Sequence, residues 1–232
     1  MPLQAIFFDA GNTLIFPDRS RTLAPLQALG IEPPQELLWA AERAARTRRD
    51  KAAADGHARL GDQQYWDIYY NHLLEDLAAA GNRQAGGQAA QLKTDLIAAS
   101  RKSANWEVVL PGTREVLLAL KQRYRLAVIS NSDGHMEDLI AHVGLRDCFE
   151  TVVDSGSVGV EKPDPRIFQE AATVLAVNPA ESLYVGDVYS IDYVGAKGAG
   201  FDAVLFDVCG AYRERGLPRV ESMQELRERL IK

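Results

Sequence analysis

The sequence predicts an α/β fold: a parallel sheet core with an all-helical domain inserted after the first strand. Three observations lead to it. From residue 108 onward, short apolar runs alternate with helical patterns, as parallel strands joined by helical crossovers require. Residues 17–105 carry helical periodicity and no convincing strand. An apolar run at residues 4–9 stands alone ahead of that helical block, so its strand has to pair with the later ones. The core is therefore expected from 1–16 and 106–232 and the insertion from 17–105, with the chain crossing between them near 15–20 and 103–110.

In order along the chain, Ala5-Ile6-Phe7-Phe8 is unbroken apolar sequence, as suits a strand covered on both faces. Apolar residues then recur at helical spacing in 35–54, 62–80 and 85–102, with breaks at Gly30, Pro33-Pro34, Gly56, Gly61 and Gly81. Trp39, Tyr65, Trp66, Tyr69 and Tyr70 fall at that spacing and are expected in the core of the helical block. The basic run Arg43–Lys51, with Arg46, Arg48 and Arg49, suits an exposed helix face. Pro111-Gly112-Thr113 opens a helix to Lys121, and Arg125–Ser130 is a strand. A helix over 134–143 and a short strand Thr151–Val153 follow. Pro165 begins a helix to 176, since a proline at the first turn loses no intrahelical hydrogen bond. Ser182–Gly186 and Asp202–Phe206 are strands around a helix at Ile191–Gly198, and Ser222–Ile231 is a terminal helix.

Composition narrows the function classes. With 232 residues, 47% of them hydrophobic, the chain can bury a sizeable core. A formal net charge of −6 gives no global basic footprint for nucleic acid. No stretch approaches the ~18 apolar residues of a spanning helix. The N-terminus has no basic segment and its apolar run is cut by Asp9, so it reads as a first strand rather than a secretion signal. Cys148 and Cys209 form neither a disulfide framework nor a metal-ligand cluster, and a cytoplasmic location is expected. Oligomeric state is not legible in the sequence.

Every strand of the core ends in polar residues. The first ends at Asp9 and continues Ala10-Gly11-Asn12-Thr13. The next major strand ends at Ser130-Asn131-Ser132-Asp133. A later loop carries Glu161-Lys162-Pro163-Asp164-Pro165, and a further strand ends at Gly186-Asp187, with Asp192 beyond it. Parallel strands bring these ends to one edge, where open α/β sheets bind ligands. A nucleophilic carboxylate, a hydroxyl, an ammonium and further carboxylates are the inventory of phosphoryl transfer, whose catalysis is positioning and charge stabilisation. Each residue also has a plain structural reading: Asp9 or Ser130 as a cap, Lys162 as a loop lysine, Asp192 as a first-turn helix acid. The order of all of them on strand ends favours the chemical reading.

These motifs, in this order, resemble the haloacid dehalogenase (HAD) superfamily, in the branch with a helical cap after the first strand. Val152–Gly159, Lys162–Phe168 and Val185-Gly186-Asp187 are similar to the haloacid dehalogenase-like hydrolase domain-containing proteins. The resemblance implies a Rossmann-like core and hydrolysis of a small phosphorylated metabolite with Mg²⁺. Asp9 would attack phosphorus, Ser130 would bind a phosphoryl oxygen, and Lys162 would offset charge on the phosphate and on Asp9. Ala10, Gly11 and Asn131 would help cradle the phosphate. Asp9, the Gly11 carbonyl, Asp187 and Asp192 would hold the metal, Asp192 through water or from behind the inner ligands.

The chain departs from the family pattern at one position. Phosphatases of the family usually carry a second Asp two residues after the nucleophile, and Gly11 stands there. That Asp protonates the leaving group, and such help is typically worth ~10²–10⁴-fold. Three explanations stay open. Substrates with good leaving groups need no such acid; Asp18, His57 or Arg59 supplies the proton; or the protein binds a phosphorylated ligand with little turnover. Dehalogenase relatives also lack the second Asp and need no metal, with Arg43, Arg46 or Arg59 as a halide-binding candidate, but they have no use for Asp187. Asp133 is expected to cap the next helix, and Tyr189 either faces the cleft or packs on the cap.

Overall fold

Four successive apolar residues, Ala5 to Phe8, have no exposed surface, because sheet neighbours and helices cover them on every side. The structure, a computed structural model, describes residues 2–56 and 60–231. Its strands are β1 (Ala5–Phe8), β2 (Phe16–Pro17), β3 (Trp106–Val108), β4 (Arg125–Ser130), β5 (Thr151–Asp154), β6 (Ser182–Gly186), β7 (Asp202–Phe206) and β8 (Arg219–Val220). Six of them form a parallel sheet in the order β5-β4-β1-β6-β7-β8. The chain builds β4 and β5 on one side of β1 and β6, β7 and β8 on the other. The strand order thus reverses at β1, which marks where such sheets open a crevice at their carboxyl edge. β2 and β3 make a separate two-stranded sheet.

The helices are α1 (Arg19–Thr22), α2 (Ala24–Gln27), α3 (Gln35–Ala54), α4 (Asp62–Ala79), α5 (Arg83–Gly87), α6 (Ala89–Ser100), α7 (Thr113–Lys121), α8 (Met136–His142), α9 (Ser155–Val158), α10 (Pro165–Val174), α11 (Val194–Gly198) and α12 (Met223–Leu230). Asp164 caps α10 by accepting from the Arg166 amide at 2.9 Å, and Pro165 follows at the first turn. The helix buries Ile167, Phe168, Ala171 and Ala172, spaced one turn apart, against Phe7, Ile129 and Tyr184 of the sheet. Phe7 meets Phe201 edge to face at 5.2 Å. Each such side chain contributes roughly 1.5–3 kcal/mol by leaving water.

The chain divides into two compact units. One comprises residues 1–16, 107–208 and 212–232; the other comprises 17–106 and 209–211. The divisions fall inside β2 and β3. Residues 209–211, expected in the core from the sequence, group with the helical unit, where Arg43 Nη1 donates to the Cys209 carbonyl at 3.0 Å. The helical unit packs α3, α4 and α6 around Tyr65, Trp66, Tyr69, Tyr70, Leu73 and Leu96. Tyr65, Trp66, Tyr69 and Tyr70 are core, as their spacing indicates, whereas Trp39 is only half-buried.

Three expectations need correction. The Arg43–Lys51 face is not uniformly exposed: Arg46 is buried, because Glu42 one turn earlier accepts from its Nε at 2.8 Å. The helix expected over 85–102 breaks at Gln88 into α5 and α6. Strands β2, β3 and β8 and the single-turn helix α9 were not anticipated from the sequence. Among the described residues, no helix is long and apolar enough to cross a membrane.

Candidate active site

Register brings the site together. β1 pairs Phe8 with Val128 of β4 on one side and with Val185 of β6 on the other. Asp9 therefore leaves β1 level with Ile129 and Gly186, and Ser130 and Asp187 lie one step beyond. The Asp9 amide still donates to the Val185 carbonyl at 2.8 Å, so the nucleophile candidate is held by the sheet itself. The chain then turns tightly, and the Ala10 carbonyl accepts from the Leu14 and Ile15 amides at 2.9 and 3.0 Å. Asn12 takes the left-handed conformation of this turn, with φ 54°. Thr13 Oγ1 donates to Asp9 Oδ2 at 3.3 Å.

Lys162 is the hub. The residue is 1% exposed, and its ammonium donates to Asp9 Oδ1 at 2.5 Å, Asp192 Oδ1 at 2.8 Å and Tyr184 Oη at 2.8 Å. The Asn131 side chain fixes the loop that carries it, accepting from the Lys162 amide at 2.8 Å and donating to the Lys162 carbonyl at 3.0 Å. The Lys162–Pro163 peptide is cis. Both ends of the Asn131 amide are thus engaged with the backbone of Lys162.

Asp192 reaches the hub through an unusual turn. A helix was expected from Ile191, but Tyr189–Tyr193 forms a π-type turn before α11. The Val188 carbonyl accepts from Asp192 N at 2.7 Å and from Tyr193 N at 3.4 Å. Asp192 Oδ2 in return accepts from Val188 N at 2.9 Å. The wider turn aims the carboxylate inward, and such turns are frequent at functional sites. Space for it exists only because residue 186 is glycine: a Cβ there would lie 2.6 Å from Asp192 Cβ and Cγ. Gly186→Ala is expected to push Asp192 off Lys162 and to cost about 1–3 kcal/mol of stability. Thermal melting and turnover would show both effects, and a variant with wild-type stability and rate would contradict the packing argument.

Asp9, Asp187 and Asp192 are all buried, and each offers an oxygen within 4.8 Å of the others. Three carboxylates thus gather out of water, with the Lys162 ammonium on Asp9 and Asp192. Burial pushes the Asp9 carboxyl up to about 6 against the pull of Lys162, and Asp192 adds to the rise. Burial opposes the charge on Lys162, but Asp192 and Asp9 outweigh it and hold the ammonium above its ordinary value. Tyr184 is driven well above the usual phenol range, by burial first and then by Asp192 and Asp9, so it keeps its proton. A divalent cation with a preference for oxygen fits this donor set. Mg²⁺ is such a cation, held by one or two carboxylates together with substrate oxygens.

The structure thus brings Asp9, Lys162, Asp187 and Asp192 to one buried cluster. It puts Ser130 at the end of the neighbouring strand, 3% exposed. Asp133 is exposed and does not cap α8. That capping carboxylate is Asp154, at the end of β5, which accepts from Gly134 N at 3.1 Å and Met136 N at 3.0 Å. Asp18 caps α1 through Ser20, whose hydrogen bonds hold its carboxyl below the ordinary value, so it is a poor proton donor near neutral pH. His57 and Arg59 lie outside the described residues. Tyr189 stacks on Tyr193 at 5.6 Å and lies under the Arg215 guanidinium at 4.2 Å. Sequence reasoning missed Tyr184 and Thr13. The signal for Tyr184 was a phenol in an otherwise apolar buried strand, since a buried hydroxyl requires a partner.

A family profile described as haloacid dehalogenase-like hydrolase matches residues 3–200. Haloacid dehalogenase-like hydrolase domain-containing protein 3 of Bos taurus is 35% identical over 151 residues, 65% of this chain and 58% of that protein. The chain therefore spans less than two thirds of that relative's length. Glyceraldehyde 3-phosphate phosphatase of Methanothermobacter thermautotrophicus is 30% identical over 208 residues, 88% of this chain and 85% of that protein. Among solved structures, the putative HAD-hydrolase YfnB of Bacillus subtilis bound to magnesium aligns over 100% of both chains with a TM-score of 0.65 and 16% identity. A HAD phosphatase of Thermococcus onnurineus aligns over 99% of this chain and 98% of its own, with a TM-score of 0.58 and 21% identity. At these identities the structural likeness shows the fold alone.

Proposed function

The chain belongs to the haloacid dehalogenase-like hydrolases, and on that footing we propose that it is a Mg²⁺-dependent phosphatase of a small phosphorylated metabolite. The observation that carries this reading is the buried cluster of Asp9, Asp187 and Asp192 beside the Lys162 ammonium. Carboxylates gathered out of water are costly unless cations share their charge. Attack on carbon, as in a dehalogenase, gives no reason to assemble that cluster. Relatives named as phosphatases of glyceraldehyde 3-phosphate and phosphoserine support the same class. Two buried free cysteines agree with the cytoplasmic location that we include in the proposal.

In this reading an Asp9 oxygen attacks phosphorus as the bond from phosphorus to the leaving oxygen breaks, giving an aspartyl-phosphate. Water then attacks phosphorus, phosphate departs and the carboxylate is restored. Lys162 fixes Asp9 Oδ1 and offsets its charge, and Ser130 offers its hydroxyl to a phosphoryl oxygen. Asn131 holds the Lys162 loop and would help cradle the phosphate. Asp9, Asp187 and the Gly11 carbonyl would hold Mg²⁺, with Asp192 behind them. The ion would screen the charge gathered on the phosphoryl oxygens.

Gly11 shapes the substrate range. With no carboxylate at that position, the leaving group departs without a proton from it, and rates should fall steeply as leaving-group pKa rises. Gly11→Asp is expected to raise turnover on alkyl phosphates far more than on acetyl or aryl phosphates, within the ~10²–10⁴ range of acid–base help. The left-handed backbone of the turn falls on Asn12, so an Asp at position 11 meets no positive φ. A flat dependence with no gain would show that another group already donates the proton, and His57→Ala would be the next variant to measure. The proposal as a whole is tested by a screen of phosphorylated metabolites with and without Mg²⁺, with acetyl phosphate and a 2-haloacid included. Hydrolysis of the haloacid in excess chelator would favour the dehalogenase reading. Tight binding of a phosphorylated compound without turnover would favour a binding protein.

A further inference from the structure

Tyr184 sits mid-strand in β6, flanked by Leu183 and Val185, and by position it looks like core. Its ring does pack as core, edge to face on Phe168 at 5.1 Å. Its hydroxyl, however, meets three groups of the site. It accepts from Lys162 Nζ at 2.8 Å, donates to the Ile129 carbonyl at 3.0 Å and lies 3.3 Å from Asp192 Oδ1. Ile129 immediately precedes Ser130 on β4. One phenol from β6 thus ties the lysine to the end of β4 on the far side of β1.

An ammonium has three N–H donors. Those of Lys162 go to Asp9, Asp192 and Tyr184, so none is spare. A buried donor without an acceptor is costly, and an ammonium free to turn would seek one elsewhere. The two carboxylates alone leave the third N–H undirected. The hydroxyl supplies a neutral acceptor at a fixed point, because its own proton is given to a strand carbonyl.

We propose that Tyr184 is a positioning residue: its hydroxyl fixes the Lys162 ammonium between Asp9 and Asp192, and through Lys162 it orients the Asp9 oxygen that attacks. This rests on the phosphatase reading for its effect on rate, but not for its effect on geometry. The lysine is then a clamp on the carboxylates, set by β6.

The test is Tyr184→Phe, which keeps the ring and removes the hydroxyl. With p-nitrophenyl phosphate and Mg²⁺, kcat is expected to fall about 10- to 100-fold with KM within about twofold, as misplacement of a reacting group affects the chemical step. Crystal structures of wild type and variant should show Lys162 Nζ withdrawn from Asp9 Oδ1 in the variant. The Lys162→Met background separates positioning from plain stability. There, Tyr184→Phe should not lower kcat further, because the phenol has no ammonium to position; any fall in melting temperature there is that of the lost hydrogen bond to the Ile129 carbonyl. A variant with the lysine contacts intact, or with an equal further loss in the Lys162→Met background, overturns the proposal. So does a double variant that fails to fold where Lys162→Met folds. If wild type does not hydrolyse p-nitrophenyl phosphate, the phosphatase reading is what suffers, and the position of Lys162 Nζ still decides the role of Tyr184.

Discussion

Asp9→Asn should abolish turnover, by at least about 10⁴-fold, on every phosphate ester that the wild type hydrolyses. The amide keeps the shape of the carboxylate but cannot attack phosphorus. Affinity for beryllofluoride should largely disappear with it, since that analogue needs the carboxylate oxygen. In a binding protein with no covalent step, the same substitution would leave ligand affinity nearly unchanged. Stability should move the other way. The Asp9 carboxyl stands at about 6 when folded against an ordinary value of 3.8. The folded state therefore binds the proton more tightly, and metal-free stability is lost as pH rises from about 4 through about 6. The loss is on the order of 3 kcal/mol at most, at 1.36 kcal/mol per pKa unit. Metal-free Asp9→Asn should thus melt above wild type at pH 7 and level with it at pH 4. Equal melting temperatures at pH 7 would show that Lys162 already neutralises the site.

Asp187→Ala should abolish metal-dependent activity, and excess chelator should do the same to wild type. Removing this carboxylate takes away one of the three groups that can share a cation. Calorimetry with Mg²⁺ alone should find binding to wild type and none to the variant. Wild-type affinity should weaken as pH falls through about 6, because proton and metal compete for Asp9. Full activity in chelator, or Mg²⁺ affinity independent of pH, would speak against the metal assignment.

Much of the fold was legible because its main strands are apolar runs of four or more residues ending in polar groups. Asp9 and Asp187 could be named because each closes such a run, Lys162 because it opens a proline-marked loop, and Asp192 because it lies five residues beyond Asp187. β2 and β8, of two residues each, are too short for any periodicity to register. The π-type turn at Tyr189–Tyr193 has no sequence signature beyond the acid at Asp192, which reads equally well as an ordinary first helical turn. Arg46 looked exposed because helical spacing does not say that Glu42 and the Tyr65 hydroxyl gather on one acid–base pair. Asp133 and Asp154 show the same limit: both are acids near the start of α8. Only the pairing of β4 with β5 brings the second one to its amides. Tyr184 stayed hidden for a related reason, since a phenol in a strand is ordinary core until a partner is seen across the sheet.

Water attacks phosphorus in a phosphatase and carbon in a dehalogenase, and an oxygen label reads the difference directly. A single turnover of p-nitrophenyl phosphate with Mg²⁺ in H₂¹⁸O, followed by mass analysis of the released phosphate and of the peptide containing Asp9, separates the two chemistries. Attack of water on phosphorus sends the label into phosphate and leaves Asp9 unlabelled, which is the expected result. Label in the Asp9 carboxylate would mean that water attacked the carbonyl carbon of an aspartyl intermediate, and would contradict hydrolysis at phosphorus.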